Sequence, residues 1–362
     1  MESKKKFLDK KIFNNYKDRR IYYFDYLRIL CTFSVTLIHV SSEYYYSLDV
    51  NSFKWKIAYY YNGLSRFSVP IFFMISGALF LNRDLSFEII ANKYIKRLFI
   101  HLLLWSIIYS LVNIDLSKLD IKQKFLQIIR GHYHLWYLFA TIGIYTIIPF
   151  SREIVKNKKL LKSFIFLYFI FLFIIPNYIY ILSKYFKETS KILDYLYSHM
   201  NLNNLPINNF YFIFGHYLNN KKEKKQTRII IYIIGFVACF FTTIITYNLA
   251  LMRKKKINYF HRKYLNIFFL SISVFLFFKN NFNNLKINEK KNNIIQRIAK
   301  FTFGIYLVHP LIIENIMRKL NLFYLELNII FLIPIINLVL FLFCLIICII
   351  LKYIPIIGKN LI

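Results

Sequence analysis

Two uninterrupted apolar stretches, residues 161–182 and 327–351, constrain this chain more than any other feature. Each reaches the roughly 20 residues that cross the hydrocarbon of a bilayer. A soluble core built from 362 residues could not bury them along with everything else that is apolar here. With the bilayer admitted as solvent, ten candidate spans emerge, at 21–42, 57–81, 94–113, 132–150, 161–182, 205–219, 229–249, 264–280, 299–317 and 327–351. The sequence predicts an all-α integral membrane protein, a single bundle over 21–351. A basic cytoplasmic segment at 1–20 precedes it and a short cytoplasmic tail at 352–362 ends the chain.

Charge is lopsided, with 49 Lys and Arg against 17 Asp and Glu, a net +32. In a soluble protein this would suggest nucleic acid, but the basic residues are scattered among loops and no nucleic-acid-reading motif accompanies them. Positive-inside sorting accounts for them better and predicts N-in, C-in. One loop runs against that topology: Arg253, Lys254, Lys255, Lys256, Arg262 and Lys263 fall on the expected outside. No small-residue cleavage site succeeds the basic start, so the first span is expected to be retained. Trp55, Trp105 and Trp136 stand near span ends, where an aromatic belt would put them. Segment 114–131 has the apolar spacing of a short helix lying on the bilayer. The four cysteines sit in apolar segments at no metal-binding spacing, so neither a disulfide framework nor a metal site is expected.

Ionisable side chains inside spans are expensive, and here they are few enough to name. The first span, FDYLRILCTFSVTLIHVSSE, carries Asp25, Arg28 and His39, with Glu43 just beyond. Eleven residues separate Arg28 from His39, about three helical turns and about 16 Å, so the two share a face. Asp25 could hold the guanidinium and Glu43 could accept the imidazole N–H, each within one turn. Packing alternatives stand beside these: Arg28 could snorkel and His39 could be a satisfied core histidine.

The second span, GLSRFSVPIFFMISGALFLNRD, places Arg66 in an apolar run that calls for an anion or a cavity. Ser76 and Gly77 come next, a small-residue pair suited to close helix packing. Lys93, Lys96 and Arg97 gather at the next inner edge, where they suit phosphates or simple anchoring. His101, one turn on, reads equally well as packing. The fourth span opens on His132, His134 and Trp136, a combination that serves as a sugar platform or as an aromatic belt. Near the chain's end FGIYLVHPLIIE sets Tyr306 and His309 beside Pro310, a kink with a buried histidine at its centre.

These strings together resemble the membrane acyltransferase-3 family of bacteria, in particular its compact branch that O-acetylates surface polysaccharides. The matching segments are FDYLRILCTFSVTLIH with its R-x10-H spacing, GLSRFSVPIFFMISGALFLNRD, KRLFIHLLLWSIIY, HLWYLFATIGIYTIIP, FGHYL and FGIYLVHP, in family order across residues 24–310. The resemblance implies an O-acetyltransferase of the bacterial cytoplasmic (inner) membrane. Its donor would be cytoplasmic acetyl-CoA or another short acyl-CoA, and its acceptor a surface or lipid-linked glycan. Its further partners would be membrane lipids, with neither nucleic acid nor metal. Arg28 and His39 become the essential pair, with His39 as general base oriented by Glu43. Arg66, Ser76, Lys96 and Arg97 become the donor-binding set, and His134, Trp136, Tyr306 and His309 match recurrent positions nearer the acceptor. Two departures weaken the donor loop: His101 stands where the family often has proline, and the second arginine that many members carry after the position of Arg97 is absent. The rival class is a glycolipid or polysaccharide transporter or flippase, whose polar path would use the same charges without chemistry.

Overall fold

The computed structural model describes residues 21–113, 120–253, 264–282, 289–325 and 327–354. Among these, every regular element is a helix. Five helices are long and apolar enough to cross a membrane: Phe53–Phe80, Phe87–Val112, Lys158–Ser183, Leu265–Phe282 and Ile329–Lys352. A sixth crossing is available if the bent pair Tyr133–Thr146 and Ile148–Lys156 counts as one span. The other four stretches that the sequence marks as spans are helical as well, over Tyr22–Ser47, Ile207–Asn220, Lys225–Arg253 and Glu289–Ile312. The basic segment 1–20, the cluster Lys254 to Lys263 and most of the tail lie outside the described residues.

The first half of the chain contributes α1 (Tyr22–Ser47), α2 (Phe53–Ser65), α3 (Ser68–Phe80), α4 (Lys96–Asn113), α5 (Ile121–Arg130) and α6 (Trp136–Thr146) to the region around the site. Later in the chain come α7 (Ile207–Asn220), α8 (Leu265–Phe282), α9 (Glu289–Ile312) and α10 (Ile329–Lys352). Two apolar cores meet along α1. One gathers residues of α1, α3, α7 and α8 around Phe24, Ile71, Phe212 and Phe275. The other gathers α1, α4, α9 and α10 around Val40, Trp105, Ile305 and Leu340. α10 shows the solvent it was built for: Leu332, Ile336, Leu340 and Cys344 are buried, while Phe331, Leu338, Leu342 and Ile346 point outward, so it is apolar all round.

Proline sets the breaks. Pro70 has no N–H for the carbonyl of Arg66, and the helix steps there, so α2 and α3 are two segments of one span. Pro149 acts likewise at the 58° bend after α6. The crossing of α3 and α7 brings two helix backbones into direct contact. A Cβ added at Gly77 would fall inside the backbone of Phe212, and one at Gly215 inside the backbone of Met74. The two glycines thus let the helices touch backbone to backbone from both sides.

One sequence expectation changes. Trp55 and Trp105 are buried, Trp55 stacked on Tyr59 at 5.3 Å with its indole N–H donating to the carbonyl of Tyr45, so neither sits in an interfacial belt. In segment 114–131 the described part is α5, opened by an Asp120–Gln123 capping box. Its Ile121, Phe125 and Ile129 form an exposed apolar stripe, as a helix lying on a bilayer requires.

Candidate active site

Eleven residues of helix bring Arg28 and His39 to the same face of α1, and both line one cavity of about 350 Å³. Arg66, Ser76, His134, Trp136 and Tyr306 line it too, so seven of the sequence-predicted positions converge from α1, α3, α6, α9 and the turns beside them. The arrangement is elongated. Ser76, Phe80 and Tyr145 accompany Arg28, and Phe80 packs on Tyr145 at 4.5 Å and on Tyr94 at 4.8 Å. His39, Arg66, His134 and Trp136 accompany the C-terminal half of α1. The two backbone positions are about 16 Å apart along the helix axis, so a ligand that touched both side chains would be elongated.

Arg28 meets Asp25 at 3.3 Å, the pairing that the i, i+3 spacing predicts, and Asp25 is buried. Arg66 is held by a residue to which its own sequence context gives little prominence. Its Nε and Nη2 both donate to Oδ1 of Asn62, at 2.9 and 2.7 Å. Asn62 in turn donates to the carbonyl of Ile38 at 3.0 Å and to the hydroxyl oxygens of Ser41 and Ser42 at 3.2 and 2.9 Å. Asn62 thus ties the guanidinium to α1 at the level of His39. The i, i+4 spacing of Asn62 and Arg66 is the signal in the sequence that points to this pair. Asn62→Ala is expected to lower stability by about 1.5–3 kcal/mol, the usual worth of a hydrogen bond to a charged group, read as the unfolding midpoint in detergent.

Four histidines from three parts of the chain cluster beyond Arg66. The His39 ring lies 4.9 Å from that of His309, His309 5.7 Å from His134, and His134 5.0 Å from His132. Tyr133 approaches Nδ1 of His39 at 3.5 Å. Pro310 fixes the state of His309. The missing N–H frees the carbonyl of Tyr306, and Nδ1 of His309 donates to it at 2.8 Å. Nε2 is then left as a lone pair, buried and without a partner. His132 closes the chain at 3.2 Å from Glu314, with its Nδ1 2.7 Å from Nδ1 of His134. The Tyr306 hydroxyl donates to the backbone carbonyl of His134, which locks α9 to the start of α6. Among the described residues no three His, Cys, Asp or Glu side chains converge closely enough to hold a metal ion.

One expectation about an individual residue is corrected by this geometry. Glu43 does not hold His39: its carboxylate makes a two-pronged ion pair with Arg318, at 2.8 and 2.7 Å, because a fork of two charged hydrogen bonds outcompetes one imidazole. Lys96 and Arg97 are exposed at the start of α4 and do not line the cavity; they lie a few residues along the chain from Tyr94, which packs on Phe80. His309 is fully buried behind the cavity-lining rings of His39, His134 and Tyr306 and does not itself line the cavity. His101 is packing: Nδ1 donates to the carbonyl of Arg97 at 2.7 Å.

A family model described as an acyltransferase domain matches residues 21–354. Two similar proteins are probable poly-beta-1,6-N-acetyl-D-glucosamine export proteins of Staphylococcus aureus, strains MRSA252 and MSSA476. Each is 24% identical over 280 residues, covering 74% of this chain and 75% of the relative. No solved structure gives a significant match.

Proposed function

The chain belongs to the membrane acyltransferase-3 family, and on that premise we propose that it moves an acetyl or similar short acyl group from cytoplasmic acyl-CoA to a hydroxyl of a surface or lipid-linked polysaccharide. The observation that carries this reading is the cavity that holds Arg28 and His39 three turns apart on one helix. A long donor arm fits such a shape, with its charged end near Arg28 and its thioester near His39. The proposed topology has ten spans with both termini inside, in the bacterial cytoplasmic membrane. Arg28 then faces the compartment that supplies the donor, and Lys96 and Arg97 meet the donor's phosphates outside the cavity mouth. Arg66 and Ser76 line the donor's path. His134, Trp136, Tyr306 and His309 shape the acceptor end.

His39 takes the proton of the acceptor hydroxyl as its oxygen attacks the thioester carbonyl carbon. The carbon–sulfur bond breaks, the ester forms, and the proton passes from His39 to the departing sulfur, leaving the free thiol. A neutral imidazole can accept that proton. Tyr133, beside His39, and the Asn62-anchored Arg66 keep the base and its surroundings in place.

The test is transfer of radiolabelled acetyl from acetyl-CoA to cell-envelope glycan by purified protein in lipid. Arg28→Ala is expected to raise the donor KM by about 10- to 100-fold, the loss of a charged hydrogen bond, with kcat less affected. Absence of both transfer and acetyl-CoA binding in folded wild-type protein would overturn the reading. A second reading, polysaccharide export without chemistry, is favoured by the names of the similar Staphylococcus aureus proteins. Glycan passage across vesicles that is independent of acetyl-CoA and untouched by His39→Ala would select it.

A further inference from the structure

A second cavity, of about 450 Å³, opens at the C-terminal end of α1. Its wall includes Glu43, Tyr44, Lys54, Arg318, Asn321 and Phe323. We propose that this cavity is the seat of the acceptor, and that it takes a chain of neutral or N-acylated hexoses. The inference rests on the acyl-transfer reading for its purpose, but its chemistry is read from this wall alone.

The volume lies in the range of ordinary small-ligand sites. The Glu43–Arg318 pair uses two of the five guanidinium N–H groups and leaves further lone pairs on the carboxylate, so donors and acceptors stand side by side as a sugar diol requires. Both members remain partly exposed and available. Tyr44 stands edge-on to Phe323 at 5.8 Å, an aromatic pair suited to the C–H face of a pyranose. The Tyr44 hydroxyl is buried and has no hydrogen-bond partner, an arrangement that is costly unless something else supplies one. Asn321 holds a left-handed backbone, φ 54°, at the turn that carries Arg318. Glu43 compensates Arg318 directly, which leaves Lys54 as the one further cation among the described residues of the wall. The position suits the task as well. Glu43 lies one helical turn past His39, about 6 Å along α1, so a chain seated here brings a hydroxyl within reach of the proposed base.

The probes are two tetrasaccharides, β-1,6-linked N-acetylglucosamine and α-1,6-linked glucose, titrated against protein in nanodiscs. Tyr44→Phe removes only the unpartnered hydroxyl and is expected to weaken binding of the preferred probe by about 3- to 10-fold. Ser47→Trp fills the rim of the cavity, where Ser47 is exposed, and is expected to abolish binding. Acetyl-CoA binding should be unchanged in both variants. The proposal is overturned if neither probe binds wild-type protein, or if both variants bind as wild type does. Because binding is read without turnover, a protein that binds glycan but never transfers acetyl sinks the acyl-transfer reading alone. One that transfers acetyl while both variants keep wild-type glycan affinity sinks only this site.

Discussion

Replacing His39 with alanine is expected to lower acetyl transfer by about 100- to 10,000-fold, the usual contribution of a positioned general base. The effect should fall on kcat, since acetyl-CoA contacts at the Arg28 end of the cavity lie about three turns away. Membrane insertion and the unfolding midpoint should change little, because His39 is only half-buried and its neighbours Asn62, Tyr306 and His309 hold their places through other bonds. His39 also has substitutes nearby to be tested: the His309 and His134 rings lie close, and each has a buried Nε2 without a partner. Turnover within tenfold of wild type would therefore take the role of base away from His39. The double variant His39→Ala, His309→Ala would then show whether the adjacent ring had assumed it.

The largest expected effect on stability is at the crossing of α3 and α7. Gly77→Ala and Gly215→Ala each drive a methyl group into backbone rather than into a movable side chain. Neither helix can yield locally, so each variant is expected to cost about 3 kcal/mol or more, the upper end of overpacking. The readout is the unfolding midpoint and monodispersity in detergent. Gly143→Ala serves as the control. A Cβ there meets nothing within 4 Å, and alanine in an exposed helix position should be neutral or gain up to about 1 kcal/mol. Equal midpoints for Gly77→Ala and Gly143→Ala would refute the close crossing. Ser76 lines the cavity one residue from this contact, so loss of the crossing should reduce transfer as well.

Much of this site is legible in the sequence because helices make faces periodic. The 11-residue interval in α1, the apolar setting of Arg66 and the Ser76–Gly77 pair each obey local rules, and the cavity collects all of those side chains except Gly77, which packs on α7. Local rules cannot choose among competing partners. Glu43 can reach His39 by spacing, yet it pairs with Arg318, 275 residues further on, which only the tertiary fold brings close. The tryptophans illustrate the same point. A position near a span end does not distinguish an interfacial ring from one buried under Tyr45 and Tyr59, as Trp55 is. Charge and edge position mark Lys96 and Arg97, but only the fold shows that they are exposed and away from the cavity wall. Asn62 escapes a search for charges because it is an amide, although it organises the charge beside it.

The stretch Ile313–Met317 is wound as a π-helix, with the N–H of Arg318 donating to the carbonyl five residues back. That wider turn holds one residue more than an α-turn, and it stands between His309 on one side and Arg318 on the other. Glu314, inside it, meets His132, and Arg318, at its end, meets Glu43. Rewinding the stretch as an ordinary α-turn with all its residues kept would swing Arg318 and its C-terminal neighbours by about 100° about the helix axis, so the wide turn is what absorbs the extra residue. A relative one residue shorter here and wound as plain α-helix would present the same pairs, whereas one that keeps the residue but loses the wide turn would not.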